Sequence, residues 1–227
     1  MTSTKLHTRK GSFNTVLVTH CERGIIETAA GVSLIVLLTL PKMDEYFESS
    51  LVLHLAVQHM LLIVAGFMVA QGLDRLILVI GVFKESVSKA YSALLRLNVK
   101  FNRRGLLAFT TGALILVYWH FPSNFNTALA NESIHGEMHV SLLIAGSLFF
   151  VGFKLLTPNM RILTYIAGCK AMQIFGACLI VSPVMIYGSF PQPEQVEAGA
   201  AMVGMCIASD AVILPVWLRR LFMRSGT

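Results

Sequence analysis

Charge is what this chain has least of. Only 13% of its 227 residues are charged, about half the soluble norm of ~25%. A fold of this composition would have no polar coat in water, which excludes a soluble catalytic domain. Cysteine is also sparse: Cys21, Cys169, Cys178 and Cys206 show neither zinc-finger nor CxxC spacing, and a disulfide framework is excluded. The last three lie in apolar runs, where a thiol serves as a small apolar packer more often than as a soft copper ligand. No nucleophile stands beside a base and no glycine loop can cradle phosphate, so no hydrolase or transferase, and no enzyme, is expected. The first 23 residues lack the apolar core and small-residue cleavage site of a signal peptide.

What is present is apolar length. Hydrophobic residues make up 55% of the chain and the mean hydropathy is +0.69. The net charge of +6 and pI near 9.3 do not indicate nucleic acid, because the basic residues sit between runs long enough to cross a bilayer. The expected fold is all-α, a bundle of six transmembrane helices at Gly24–Leu40, Leu51–Gly72, Gly105–Phe121, His135–Thr157, Met160–Ser182 and Val196–Leu218. These form a single membrane domain, 24–221, between tails at 1–23 and 222–227. Leu73–Phe83, interrupted by Asp74 and Arg75, is too short to span again and reads as a continuation of helix two or an interfacial helix. The basic segment at about 84–104 reads either as an amphipathic surface helix or as a solvated loop.

Basic residues set the orientation. Lys5, Arg9, Lys10 and Arg23 precede helix one, seven more lie from Arg75 to Arg104, Lys154 and Arg161 flank the turn after helix four, and Arg219, Arg220 and Arg224 end the chain. All fall on one side of a six-helix arrangement. The opposite loops hold Lys42 against Asp44, Glu45, Glu48, Glu132, Glu194 and Glu197. The positive-inside rule therefore places both termini in the cytoplasm of a multi-pass protein of the cell membrane.

Polar residues at membrane depth are costly and mark function. Five of seven histidines fall on the extracytoplasmic side: His54 and His59 in helix two, His120 at the end of helix three, His135 and His139 at the start of helix four. Each alone reads as an interhelical hydrogen-bonding residue, but five together point to a shared metal site. His135 and His139 stack at i,i+4. His54 and His59 are five apart, about 140° around an ideal helix, so only one of them, His59, is expected to face a common centre. Imidazoles favour copper or haem iron and also accept zinc. Deeper, about 13 Å from the cytoplasmic ends, Lys170 and Asp210 are expected to form a structural ion pair between helices five and six.

Three segments resemble the CtaG-type membrane proteins that assist assembly of haem-copper cytochrome oxidases. His54-Leu-Ala-Val-Gln58-His59-Met60 is similar to that family's His-Met-x-Gln-His. Tyr118-Trp119-His120-Phe121-Pro122, with Phe125, Asn126, Ala128 and Leu129 and then His135-Gly-Glu-Met-His139, is similar to its Trp-His-x-Pro, Tyr-Asp-x-Ala and His-x-x-x-His run. Glu197-Ala198-Gly199 is fainter. The spacing of the helix-two histidines, four in the family, is five here, and the likeness is to a remote branch, similar also to archaeal membrane proteins. The resemblance implies a metallochaperone or assembly factor that handles copper for a haem-copper oxidase, haem and zinc being weaker choices. The alternative is an accessory subunit of a membrane copper or haem enzyme such as an oxidase or copper monooxygenase. In either case the partners are the lipid bilayer and that enzyme, with no nucleic acid.

The orientation is testable with membrane-impermeant thiol reagents on single-cysteine variants. Probes near Asp44, Asn131 and Glu194 should react from outside, and probes at Lys89 and Ser225 should not. External labelling at Lys89 would overturn the topology.

Overall fold

Asn102, Arg103 and Arg104 carry no helix-breaking proline, yet they separate two helices because Arg104 and Gly105 both adopt left-handed backbone, at φ 61° and 75°. Glycine is suited to that conformation, and a Cβ at Gly105 would also collide with the carbonyl of Gly152. Elsewhere prolines open helices: Pro41, Pro122 and Pro158 each sit in a first turn, where a missing N–H costs nothing.

The computed structural model describes the backbone of residues 4–225, and side chains over 17–219 apart from 94, 97, 103 and 218. In order the elements are α1 (Thr4–Leu38), α2 (Pro41–Glu48), a π-helix π1 (Val52–Gln58), α3 (His59–Phe83), α4 (Glu85–Phe101) and a 3₁₀ turn (Arg103–Gly105). Then come α5 (Leu106–His120), α6 (Pro122–Ala130), α7 (Glu132–Leu155), α8 (Pro158–Val181) and α9 (Gln192–Ser225). No strand occurs among the described residues. Among the described residues, four helical stretches are long and apolar enough to cross a membrane: Val52–Phe83, Glu132–Leu155, Pro158–Val181 and Gln192–Trp217. Two further pairs, Leu17–Leu38 with Pro41–Glu48 and Leu106–His120 with Pro122–Ala130, are each bent by 69° and give six spans if each counts as one. The chain is an all-α, multi-pass membrane protein.

Several boundaries differ from the sequence reading. Helix extends back from Gly24 to Thr4, so the expected tail is helical over its described part, while residues 1–3 and 226–227 of the two tails lie outside the described residues. Leu73–Phe83 continues helix two, now α3. The basic segment after it is the helix α4, free of internal glycine or proline. The connection expected between helices three and four contains α6, and α9 runs on through Pro215.

Two compact units divide the chain. The first comprises Met1–Thr39, Leu61–Leu116 and His139–Leu155. The charges that interrupt its apolar helices are paired. Glu27 accepts from Arg75 at 2.8 Å and from Gln71 at 3.1 Å, so it is tied across helices instead of only reaching interfacial water. Asp74 accepts from the Tyr91 hydroxyl and from Lys154 at 2.5 Å, and Lys154 also donates to Tyr91 at 2.8 Å. Burial and the adjoining carboxylate raise the Tyr91 phenol above its ordinary range, which keeps it a donor. The apolar seam between α3 and α7 is closed by glycine, as in membrane helix pairs generally. A Cβ at Gly66 would collide with the carbonyl of Leu143, and one at Gly146 with the carbonyl of Ile63.

Because backbone cannot yield as a side-chain end can, Gly146→Ala should lower stability in detergent by on the order of 1–3 kcal/mol. Gly136→Ala, whose added methyl meets nothing within 4 Å, serves as the matched control. Equal melting temperatures for the two variants would contradict this close helix contact.

Candidate functional site

The second unit comprises Leu40–Met60, Val117–Met138 and Leu156–Thr227. At its centre lie four buried imidazoles. His54 and His59 are fully buried at 0% exposure, and His120 and His135 nearly so. Their rings form a row: His135 and His54 at 5.3 Å between centroids, His54 and His59 at 5.0 Å, His59 and His120 at 5.6 Å.

The adjacency of His54 and His59 corrects the expectation that only His59 would face the centre. Residues 52–58 are not α-helical but π-helical, and the His59 N–H donates to the His54 carbonyl, five residues back. An i→i+5 ladder stacks residues that an ideal α-helix would point apart. Such segments occur often at functional sites. The start of π1 is held by Glu194, whose carboxylate accepts from the Leu51 N–H at 3.1 Å.

The other two histidines are placed by helix ends. Pro122 cannot continue the ladder of α5, which ends at His120. Asn131 caps α7, its side chain accepting from Ser133 and Ile134 N–H at 3.0 and 3.2 Å, so His135 stands in the first turn. His139 is also buried, one turn further along α7 on the same face, where the helix continues into the first unit.

Carboxylates line one end of the row. Asp44 and Glu48 are one turn apart on α2. His135 Nε2 lies 3.3 Å from one Asp44 oxygen and 3.4 Å from the other, and its Nδ1 lies 3.2 Å from Glu48. Gln58 donates to Asp44 at 2.7 Å, fixing that carboxylate against π1. The sequence reading counted Asp44 and Glu48 only as outer-loop charge. Their i,i+4 spacing was the available signal, but nothing in the sequence tied it to His135.

A roof covers the row. Phe125, fully buried, sits edge-on to His54 at 5.2 Å and to His59 at 5.9 Å. Tyr187 packs on Phe125 at 4.8 Å and donates its hydroxyl to the His120 carbonyl at 2.7 Å. Burial pushes the Tyr187 phenol up from its ordinary range, so it remains a donor. The loop carrying Tyr187 is pinned by one buried side chain: Gln195 accepts from Ile186 and Tyr187 N–H and donates to the Tyr187 and Phe190 carbonyls. Tyr187 and Gln195 escaped sequence reading because each looks like an ordinary loop or helix-end polar residue.

The donors suit a transition-metal ion. Two imidazoles held about 2.0–2.1 Å from a tetrahedral ion have ring centroids roughly 5 Å apart, and two ligand atoms roughly 3.3 Å apart. Neighbouring rings of the row meet the first spacing pair by pair, and the separation of His135 Nε2 from Asp44, long for a hydrogen bond, matches the second. Nitrogen with some carboxylate favours copper, zinc or iron over hard cations. Of the sulfurs beside the histidines in sequence, Met138 is fully buried and Met60 is 38% exposed.

The predicted pair Lys170 and Asp210 lies in the same unit, on α8 and α9, with Nζ 3.5 Å from Oδ2. Lys170 also donates to Gln173 at 2.8 Å. Its half-exposed side chain makes this a loose tie, weaker than a buried bridge.

The profile of the family described as cytochrome c oxidase caa3 assembly factor matches residues 28–224. No curated protein and no solved structure matches the chain.

Proposed function

Since the chain belongs to the family of cytochrome c oxidase caa3 assembly factors, we propose that it serves oxidase assembly as a non-catalytic protein that holds copper and passes it to the oxidase. The observation that carries this reading is the buried row His135, His54, His59, His120 with Asp44 and Glu48 at its end. Four buried imidazoles side by side gather several nitrogen donors in one place. Copper is the cargo here. The row supplies nitrogen ligands and Asp44 offsets positive charge. Haem fits poorly, because edge-on rings 5.0–5.6 Å apart leave no slot for a macrocycle between them. Charge asymmetry along the sequence puts this end of the protein outside the cytoplasm, the side on which a receiving oxidase subunit would be met.

Complete burial of His54 and His59 favours one second reading, a permanent copper site in an accessory subunit. Stoichiometric co-purification with the oxidase would mark that case, whereas a chaperone leaves the mature enzyme.

His54→Ala and His120→Ala should each weaken copper binding to detergent-purified protein by at least about tenfold, and Asp44→Asn by about 10–100-fold. The combined change at His54, His59, His120 and His135 should abolish binding and lower the copper content of the oxidase in the same cells, with His20→Ala silent. Metal analysis and oxidase activity read both effects. Unchanged bound copper in the combined variant would refute the copper-holding role.

A further inference from the structure

A second set of metal-capable groups lies within the second unit, on the seam of α8 and α9, and involves none of the histidines. The two helices run antiparallel, joined by the loop over 182–191. Their register is fixed at three points. Gly176 and Gly199 touch so closely that a Cβ on either would collide with the carbonyl of the other. Tyr165 and Ser209 share a hydroxyl hydrogen bond, and Lys170 meets Asp210 at 3.5 Å. Cys169 stands seven residues before Gly176 and Cys206 seven after Gly199. Seven residues are about two helical turns, so each cysteine shares the seam face of its glycine, and the antiparallel register sets the two opposite one another. The two thiols are electrostatic neighbours across the seam, and Cys169 is a neighbour of the Tyr165 hydroxyl as well. Cys206 is buried, Cys169 half-buried, and no bond joins them.

We propose that Cys169 and Cys206 form a soft-metal site that takes a monovalent ion of the copper(I) and silver(I) class in two-coordinate thiolate ligation. Two facing thiols and no imidazole suit such an ion, whereas zinc requires four ligands. On binding, two S–H bonds break, two metal–sulfur bonds form, and two protons leave to water. No oxidant or reductant takes part. The resulting complex carries one negative charge and sits beside the Lys170–Asp210 pair. A thiol pair was not expected from the sequence, where each cysteine reads as a packer, because the two are 37 positions apart and only the helix register brings them together.

Silver ion is the probe, since it binds thiolates without redox chemistry. Purified full-length protein is loaded with silver, desalted through excess glutathione to strip single-thiol sites, and its retained metal counted. Wild type should keep one silver ion per chain. Cys169→Ser and Cys206→Ser should each lose it, while Cys178→Ser and the variant lacking His54, His59, His120 and His135 should keep it. Melting curves establish that the serine variants fold. If Cys206→Ser unfolds, the half-buried Cys169→Ser carries the test alone. Wild type that retains no silver, or a folded Cys169→Ser that retains it, overturns the proposal. Loss confined to the histidine variant also overturns it, while leaving the histidine reading intact.

Discussion

An imidazole removed from water must find partners for its ring nitrogens or forfeit several hydrogen bonds' worth of solvation, and the second unit buries four of them side by side. Most of what is unusual in that unit follows from this burden. The helix carrying His54 and His59 changes its hydrogen-bond period. Helix α5 stops at His120 and α7 starts three residues before His135. A short helix of negative residues, α2, lies against His135. A loop that would otherwise be free is fastened over the rings through Gln195 and Tyr187. Each of these features places or covers an imidazole.

The π-helix brings together two histidines that an α-helix would separate. They are five apart, one residue more than the i,i+4 spacing that stacks side chains on an α-helix. An α-helix would have turned one of them away, but a ladder of i→i+5 bonds absorbs the extra residue and returns both rings to one side, 5.0 Å apart. The ring pair, and not the residue count between them, is what the backbone serves.

Hydropathy and charge made the membrane class, the helical fold and most spans legible, because bilayer thickness and the cost of buried charge act on local sequence. The end of α5 at His120 was legible for the same reason, through Pro122. Features that depend on non-local geometry were not. Asp44 and Glu48 read as loop charge until folding set them against His135, and Asp74 and Arg75 read as an interruption until Lys154 and Glu27 supplied partners. The place of His54 was not legible because a 3.6-residue period does not hold over 52–58, where the backbone is π-helical. Lys170 lies 3.5 Å from Asp210, but position along the two helices gives no hint that the tie is loose.

The central claim, that the buried imidazoles act together on one metal ion, is tested most directly by electron paramagnetic resonance of the protein loaded with a single equivalent of copper(II). Ligation within the row predicts nitrogen superhyperfine structure from at least two imidazoles, diminished when His59 or His135 alone is replaced by alanine. A spectrum with only oxygen ligands, or one unchanged by those replacements, would contradict the account.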